Sequence, residues 1–315
     1  MPYRGLKIAL VIPCFNEEAA ISSVINDFLT AMPEIEIYIF DNNSTDRTRA
    51  IAESERAYVI SVLLPGKGNV VRRMFADVEA DVYVMVDGDA TYDSKSICRL
   101  VDKLLDEHLD MVVGCRQAHS DISSLAYRPG HQWGNHILTK SVMSIFGGQF
   151  TDMLSGYRVF SRRYVKSFPA LSRGFEIETE LTVHALELRM PYGELSTPYG
   201  SRPEGSNSKL STYSDGIRIL FTIARLYIRE RPLAFFGMCS LLLGTISISI
   251  SIPVLEEYLK AGLVPRLPTA VLSASIMVSA LLSLSCGLIL NNVTRGRQEI
   301  KRLAYLAIPS TQIKK

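Results

Sequence analysis

The segment Val82-Tyr83-Val84-Met85-Val86-Asp87-Gly88-Asp89 decides the fold class, because an apolar, β-rich run breaks there into a turn carrying two carboxylates one glycine apart. A run this short, bounded by turn residues, reads as a buried strand. Four more such runs occur, Ile8 to Pro13, Ile35 to Phe40, Tyr58 to Val62 and Met111 to Gly114, each separated from the next by a longer stretch able to form a helix. That alternation predicts parallel βαβ units, hence an α/β sheet. Several runs end in polar or turn residues: Cys14-Phe15-Asn16-Glu17, Asp41-Asn42-Asn43-Ser44 and the aspartate turn itself. Open α/β sheets bind ligands outside the carboxyl ends of their strands, so these turns are expected to converge on one pocket.

The 315 residues are 47% hydrophobic, with a polar-patterned first two thirds and an apolar last third, so two parts are expected. The formal net charge is +2 and no Lys/Arg stripe interleaved with aromatics occurs, which argues against nucleic acid as a partner. Cys14, Cys98, Cys115, Cys239 and Cys286 are scattered without a Cys-x-x-Cys pair and read as reduced, packed thiols. Met1 to Lys7 lead straight into the first strand without a signal-peptide pattern, so the first part is expected to stay in the cytosol.

From Thr151 to about Ser206 the pattern is less regular, with a helix predicted over Glu176 to Arg189 and loops around Pro191 and Arg202-Pro203-Glu204-Gly205. Thr212 to Arg231 mixes Ile217, Leu220, Phe221, Ile223, Leu226 and Tyr227 with Arg218, Arg225, Arg229 and Arg231, the composition of an amphipathic interfacial helix. Pro232 to Ile252 and Pro268 to Leu290 carry no charge and have the length of membrane spans. Arg225, Arg229 and Arg231 precede the first span, and Arg295, Arg297, Lys301 and Arg302 follow the second, so both chain ends are expected in the cytosol. The expected division is a cytosolic domain over 1–210, a juxtamembrane helix over 211–231, spans over 232–252 and 268–290 joined by a non-cytosolic loop over 253–267, and a basic cytosolic tail over 291–315. That is an integral membrane protein, of the inner membrane if the source is bacterial.

Asp87 and Asp89 suit a hard divalent cation, which takes one or two protein carboxylates and completes its shell with substrate phosphates. On the residues alone the same pair equally reads as a cap for a following helix. Read together, Ile12-Pro13-Cys14-Phe15-Asn16-Glu17-Glu18, Asp41-Asn42-Asn43-Ser44-Thr45-Asp46 and Asp87-Gly88-Asp89 make the chain resemble the family 2 glycosyltransferases of GT-A fold. The resemblance extends through Gly66-Lys67-Gly68, Gly114-Cys115-Arg116, Asp152-Met153-Leu154-Ser155-Gly156-Tyr157-Arg158 and Phe175-Glu176-Ile177-Glu178. With the terminal spans it is similar to the polyisoprenyl-phosphate glycosyltransferases, the type that includes dolichol-phosphate mannose synthase and the bactoprenol glucosyltransferases.

The resemblance implies a Rossmann-like nucleotide-sugar domain in which Pro13, Asn16, Glu17 and Asp41 line the nucleoside pocket and Lys67 sits on a donor-side loop. It implies that Asp87 and Asp89 hold Mg²⁺ or Mn²⁺ on the donor diphosphate, and that Arg116, Arg128 and Arg202 meet phosphates. Thr91 stands where dolichol-phosphate mannose synthases carry a glutamine. Asp152 is a candidate base for an alcohol acceptor, or an orienting group for a lipid phosphate; as a bare residue it also reads as a loop cap. Glu178 is a candidate acceptor-site residue, while Glu176 reads as a helix-start residue. The sequons at Asn42, Asn43 and Asn292 are expected to be chance matches. The implied reaction is inverting transfer of one sugar from a UDP- or GDP-hexose to undecaprenyl or dolichyl phosphate, on the bilayer, and a homo-oligomer is compatible with the sequence. A processive polysaccharide synthase would carry Gln-x-x-Arg-Trp, whereas the only tryptophan lies in His131-Gln132-Trp133-Gly134-Asn135. A transferase onto a non-lipid acceptor and a catalytically silent nucleotide-sugar scaffold are the remaining alternatives.

Overall fold

The computed structural model describes residues 3–118, 131–172, 174, 176–203 and 212–310. The chain divides into two compact units: residues up to Thr222 together with those from Lys301 onward, and Ile223–Ile300.

The first unit is built on a seven-stranded sheet. Its strands are β1 Ile8–Cys14, β2 Glu36–Asp41, β3 Tyr58–Ser61, β4 Val82–Met85, β5 Met111–Ala118, β6 Arg158–Ser161 and β7 Tyr192–Tyr199, in the order β3-β2-β1-β4-β6-β5-β7. Only β6 runs antiparallel to its neighbours β4 and β5, so the remaining strands all point their carboxyl ends the same way. β6 and β7 lie in the stretch whose sequence pattern is irregular; β7 continues the parallel pattern beside β5, and β6 adds one antiparallel strand to it.

The apolar runs are continuous because both faces of the sheet are covered. Ile8, Leu10, Ile12, Val82 and Val84 point to one face, against α1 Ile21–Ala31 and α4 Ile97–Asp106. Ala9, Val11, Tyr83, Met85, Met111 and Val113 point to the other, against α3 Lys67–Asp77, α6 Arg162–Ser167 and α7 Ile177–Leu188. Each fully buried aliphatic side chain contributes roughly 1.5–3 kcal/mol, so the two cores hold the strand ends, and the turns beyond them, in a rigid frame. The helices α2 Thr48–Ser54 and α5 His131–Phe146 complete this unit up to α8, Thr212–Glu230.

The residues from Lys301 onward attach to the edge of the sheet remote from those carboxyl ends. Lys301 Nζ pairs with Glu187 at 2.7 Å, and the Tyr305 hydroxyl donates to Asp110 at 2.8 Å, beneath the Arg163 guanidinium.

The second unit is mainly two helices, α9 Pro232–Ala261 and α10 Leu267–Leu306, each long and apolar enough to cross a membrane. α9 continues through Pro253, beyond the 232–252 read from the sequence, so most of the expected 253–267 loop is helix. Ser273, Ala280, Gly287 and Thr294, a seven-residue repeat of small side chains, form the buried stripe of α10. Small residues let two helix backbones approach closely in an apolar environment. Accordingly Ser247 Oγ donates to the Ser273 carbonyl at 2.7 Å and Ser283 Oγ to the Phe236 carbonyl at 3.0 Å. Leu241, Leu242, Leu281, Leu282 and Ile289 are among the many apolar side chains left exposed. All five cysteines are free, but only Cys14 and Cys115 are buried, and Cys286 is exposed on α10, which corrects the expectation of packed thiols throughout.

Candidate active site

The turns after β1, β2 and β3 are stitched together by side chains rather than by a continuing ladder. Asn16 adopts φ +53°, and its Oδ1 accepts from the Thr45 N–H at 2.8 Å while its own N–H donates to Ser44 Oγ at 3.0 Å. The Glu17 N–H donates to Thr48 Oγ1 at 2.7 Å. Asn42 donates to the carbonyls of Val62 and Leu64 and accepts from the Gly66 N–H, each at 2.8 Å, which fixes the loop that presents Lys67. The Asn42 side-chain amide is thereby committed to the fold through both its nitrogen and its oxygen. In register, Pro13 lies opposite Phe40 and Cys14 opposite Asp41. Of the expected nucleoside-pocket residues, Glu17 and Asp41 are buried and Asn16 is half-buried, all on these stitched turns.

The aspartate turn lies against the end of β1. A Cβ on Gly88 would come within 2.8 Å of Cys14 Sγ, so only glycine lets the turn seat this closely. The Cys14 thiol is pushed well above its ordinary value, first by burial and then by the charges of Glu17, Asp41, Asp87 and Asp89. α4 begins only at Ile97, so Asp89 does not cap it. Instead Asp89 Oδ1 accepts from Thr91 Oγ1 at 2.6 Å, and Asp89 Oδ2 pairs with Arg202 Nη2 at 2.7 Å. Between them Ala90 is held at φ +59°, a left-handed conformation that costs a side-chain-bearing residue about 1–3 kcal/mol. The second Arg202 nitrogen, Nη1, is buried without a partner.

Asp87 has a different set of partners. Lys67 Nζ contacts Asp87 Oδ1 at 2.5 Å and Glu178 Oε1 at 2.5 Å, and Glu178 reaches this point from the first turn of α7. Burial draws the lysine's pKa down, but the two carboxylates outweigh it and hold the ammonium charged. A Cβ on Gly156 would collide with the Asp87 carboxylate, so the loop before β6 forms the back wall of this aspartate. Each aspartate thus has its own cation. Two carboxylates on one turn, with no cluster of three His, Cys, Asp or Glu among the described residues, fit a hard cation that takes the rest of its shell from a diphosphate. They do not fit a structural zinc, which requires four protein ligands.

Arg116, at the carboxyl end of β5, grips Asp152 as a fork, Nε to Oδ2 at 2.7 Å and Nη2 to Oδ1 at 2.6 Å, with the Arg116 N–H at 3.2 Å. Both side chains are about nine-tenths buried, at 9% and 10% exposure. Desolvation opposes the charge on Arg116, yet Asp152 more than offsets it. Two residues read separately from the sequence, one for a phosphate and one for an acceptor, are therefore a single buried pair. Arg158, fully buried, holds the same loop by donating Nε to the Ser155 carbonyl at 3.0 Å, Nη1 to Thr182 Oγ1 at 3.1 Å and Nη2 to the Met153 carbonyl. The Tyr92 hydroxyl accepts from the Gly156 N–H at 2.8 Å. Arg128 lies outside the described residues. Thr91 and Arg158 stand out in the sequence only by their place beside or within the motifs, and Tyr92 carries no sequence signal of its own.

Among the acidic residues of the α7 region, Glu180 accepts from the N–H groups of Leu171 and Ser172, and His184 packs inside with Ser167, so the Glu/His spacing there is not a metal site. Glu176 precedes the helix without a capping bond.

Residues 9–168 match the family described as glycosyl transferase family 2. Glycosyltransferase AglJ of Haloferax volcanii is 30% identical over 301 residues, 95% of this chain and 98% of that one. Dodecaprenyl-phosphate galacturonate synthase of Rhizobium johnstonii is 23% identical over 311 residues, 93% of this chain and 89% of that one. Among solved structures, glucosyl-3-phosphoglycerate synthase of Mycobacterium tuberculosis, in complex with Mn²⁺, UDP-glucose and phosphoglyceric acid, superposes with a TM-score of 0.57 at 23% identity, covering 71% of this chain and 80% of that one. With the family's pattern running from β1 through α6 and a relative of matching length at 30% identity, this chain belongs to glycosyl transferase family 2 and has its GT-A fold.

Proposed function

We propose that the chain transfers a single hexose-type sugar, with inversion, from a UDP- or GDP-sugar to a polyprenyl phosphate. The observation that carries the reading is the pairing of Asp87 with Lys67 and of Asp89 with Arg202 in a chain that ends in two helices long enough to span a membrane. A nucleoside diphosphate leaving group needs positive charge at its oxygens, and Lys67 and Arg202, one on each aspartate, can supply it. Asp87 and Asp89 would hold Mg²⁺ or Mn²⁺, which would supply Lewis-acid stabilisation to the same leaving group. The solved relative with Mn²⁺ and UDP-glucose supports this donor and cation by analogy of fold. Pro13, Asn16, Glu17 and Asp41, on the stitched turns, hold the nucleoside.

The acceptor follows from what Asp152 can do. Its carboxylate takes three N–H bonds from Arg116, so it is a poor base for an alcohol. A phosphate monoester has a second pKa of about 6 and is already largely dianionic at neutral pH, so it needs none. The name of the Rhizobium relative, a dodecaprenyl-phosphate galacturonate synthase, points the same way. In this reading Asp152 orients the acceptor side through Arg116, 232–252 and 268–290 span the bilayer, the amphipathic helix lies on it, and the catalytic part and both chain ends are cytosolic.

The test uses the full chain in detergent with polyprenyl phosphate, Mn²⁺ or Mg²⁺ and each common UDP- and GDP-hexose, with products read by mass. One sugar per lipid from one donor is expected. Donor binding without any sugar-bearing lipid from the whole panel would refute the acceptor assignment.

A further inference from the structure

We infer that the junction of α8, α9 and α10 is a binding site for the phosphate of a membrane lipid, formed by Arg229 and Arg297. The site lies wholly within the second unit. At the end of α8 the Arg229 carbonyl accepts from Thr294 Oγ1 at 2.9 Å and from Arg297 Nη2 at 3.0 Å, and Arg297 Nη2 also reaches Thr294 Oγ1 at 3.1 Å. This fixes both arginines at one point of the helix hairpin. Each nevertheless keeps a buried guanidinium N–H without a hydrogen-bond partner, Nε of Arg229, which has only the longer ion pair to Glu230, and Nε of Arg297. A buried cationic donor left unmade is costly, so two of them at one place point to an acceptor that arrives from outside.

The surroundings define that acceptor as an anion with an apolar body. Glu230 Oε1 lies 3.5 Å from Arg229 Nε and offsets part of the charge. Against Glu230 and Glu299 stand Arg225, Arg229, Arg231, Arg295 and Arg297 in the same two segments, so the local balance is positive. α9 starts here, with Arg231 at its N-cap and no side-chain cap, and the N-terminal end of a helix carries free N–H groups and positive partial charge. Immediately beside the arginines the surface turns apolar and exposed, at Leu233, Leu290 and Val293. A phosphate headgroup over acyl or prenyl chains matches both halves of this surface, and arginine forks are suited to phosphate oxygens.

The proposal rests on the reading of α9 and α10 as membrane spans, and its test separates the two. Wild-type full-length chain and the variants R229Q/R297Q and R295Q are placed in bilayer discs of phosphatidylcholine with or without phosphatidylglycerol, and retained lipid is counted by native mass spectrometry. Selective retention of phosphatidylglycerol is expected for wild type and R295Q and is lost in R229Q/R297Q, since Arg295 is exposed and outside the hydrogen-bonded cluster. R297K, which keeps the charge and loses the fork, should retain the lipid measurably less well than wild type, and it stands in if the double variant does not fold. Adding a polyprenyl phosphate then assigns the source: displacement of phosphatidylglycerol marks an acceptor-holding site, and no displacement marks an anchoring site for bulk anionic lipid. Equal retention by wild type, R229Q/R297Q and R297K in membrane-embedded protein overturns the site alone. Release of the wild-type chain from membranes by alkali overturns the spanning reading and the site with it.

Discussion

Replacing Asp152 by asparagine tests whether the Arg116–Asp152 pair is architecture, catalysis or both. The carboxylate accepts three N–H bonds, at 2.6, 2.7 and 3.2 Å, and the pair is about nine-tenths buried. Removing one partner of a buried ion pair costs about 3–5 kcal/mol because the other charge is stranded. Asparagine keeps one acceptor oxygen, which places the loss near the lower bound, about 3 kcal/mol, and at roughly 2–4 °C per kcal/mol for a unit of this size the melting midpoint should fall by about 6–12 °C. The double variant Arg116→Met/Asp152→Leu removes both charges and should recover most of that loss. Differential scanning fluorimetry of the detergent-solubilised chain gives the midpoints, and sugar transfer is measured on the same samples below the lowest midpoint. The proposed role of the pair predicts a stable but inactive double variant. A midpoint for Asp152→Asn within about 1 °C of wild type would refute the energetic reasoning, and a fully active double variant would remove both residues from the site.

Asp89→Asn should lower turnover by at least about a hundredfold while far-ultraviolet circular dichroism stays unchanged, since Arg202 and Thr91 are both oriented on its carboxylate; full activity in that variant contradicts the site. Gly156→Ala pushes a methyl group into Asp87, and misplacement of a reacting-site group by about 1 Å can cost up to about a hundredfold, so turnover should drop and the Mn²⁺ needed for half-activation should rise; an unchanged Mn²⁺ curve would show that Asp87 is not a cation ligand. His184, whose pKa is lowered to about 3 by burial and then by Lys301, stays neutral in the folded chain but takes up a proton when unfolded. Stability is therefore full above about pH 6.5 and falls by up to ~1.4 kcal/mol per pH unit as the pH drops from there toward the folded value. Comparing wild type with His184→Gln in urea at pH 7 and pH 5 should show the larger loss in wild type; equal losses would mean the imidazole is not the buried neutral group.

Hydropathy and turn chemistry make the first five strands readable, because each carries a short apolar run; turn residues such as Asn16, Asn42 and Asp87 follow β1, β2 and β4, whereas β5 runs on past Gly114 to Ala118. β6 and β7 are not readable in the same way. Arg158 opens β6 with a charge that is buried only because Ser155, Met153 and Thr182 surround it, and β7 is a mostly half-exposed strand whose Gly193, Ser196 and Pro198 show no alternation. The residues of the aspartate turn are visible in sequence, yet their partners are not. Lys67 and Glu178 meet across more than a hundred residues of chain, and Arg116 and Asp152 look like two independent functional residues until the fold folds one into the other. The apolar spans are evident from composition, whereas α9 runs on past Pro253 through Glu256, Glu257 and Lys260 and is capped at Gly262 in the left-handed conformation, so the apolar run alone understates the helix.

The central claim, a sugar passed to a polyprenyl phosphate, is tested most directly by nucleoside diphosphate release from the cognate donor, followed with and without that lipid. The account predicts slow release alone, marked stimulation by polyprenyl phosphate, and one lipid-linked sugar per nucleotide released. Release that polyprenyl phosphate leaves unchanged, with the label appearing instead on a water-soluble glycan or protein, would contradict it.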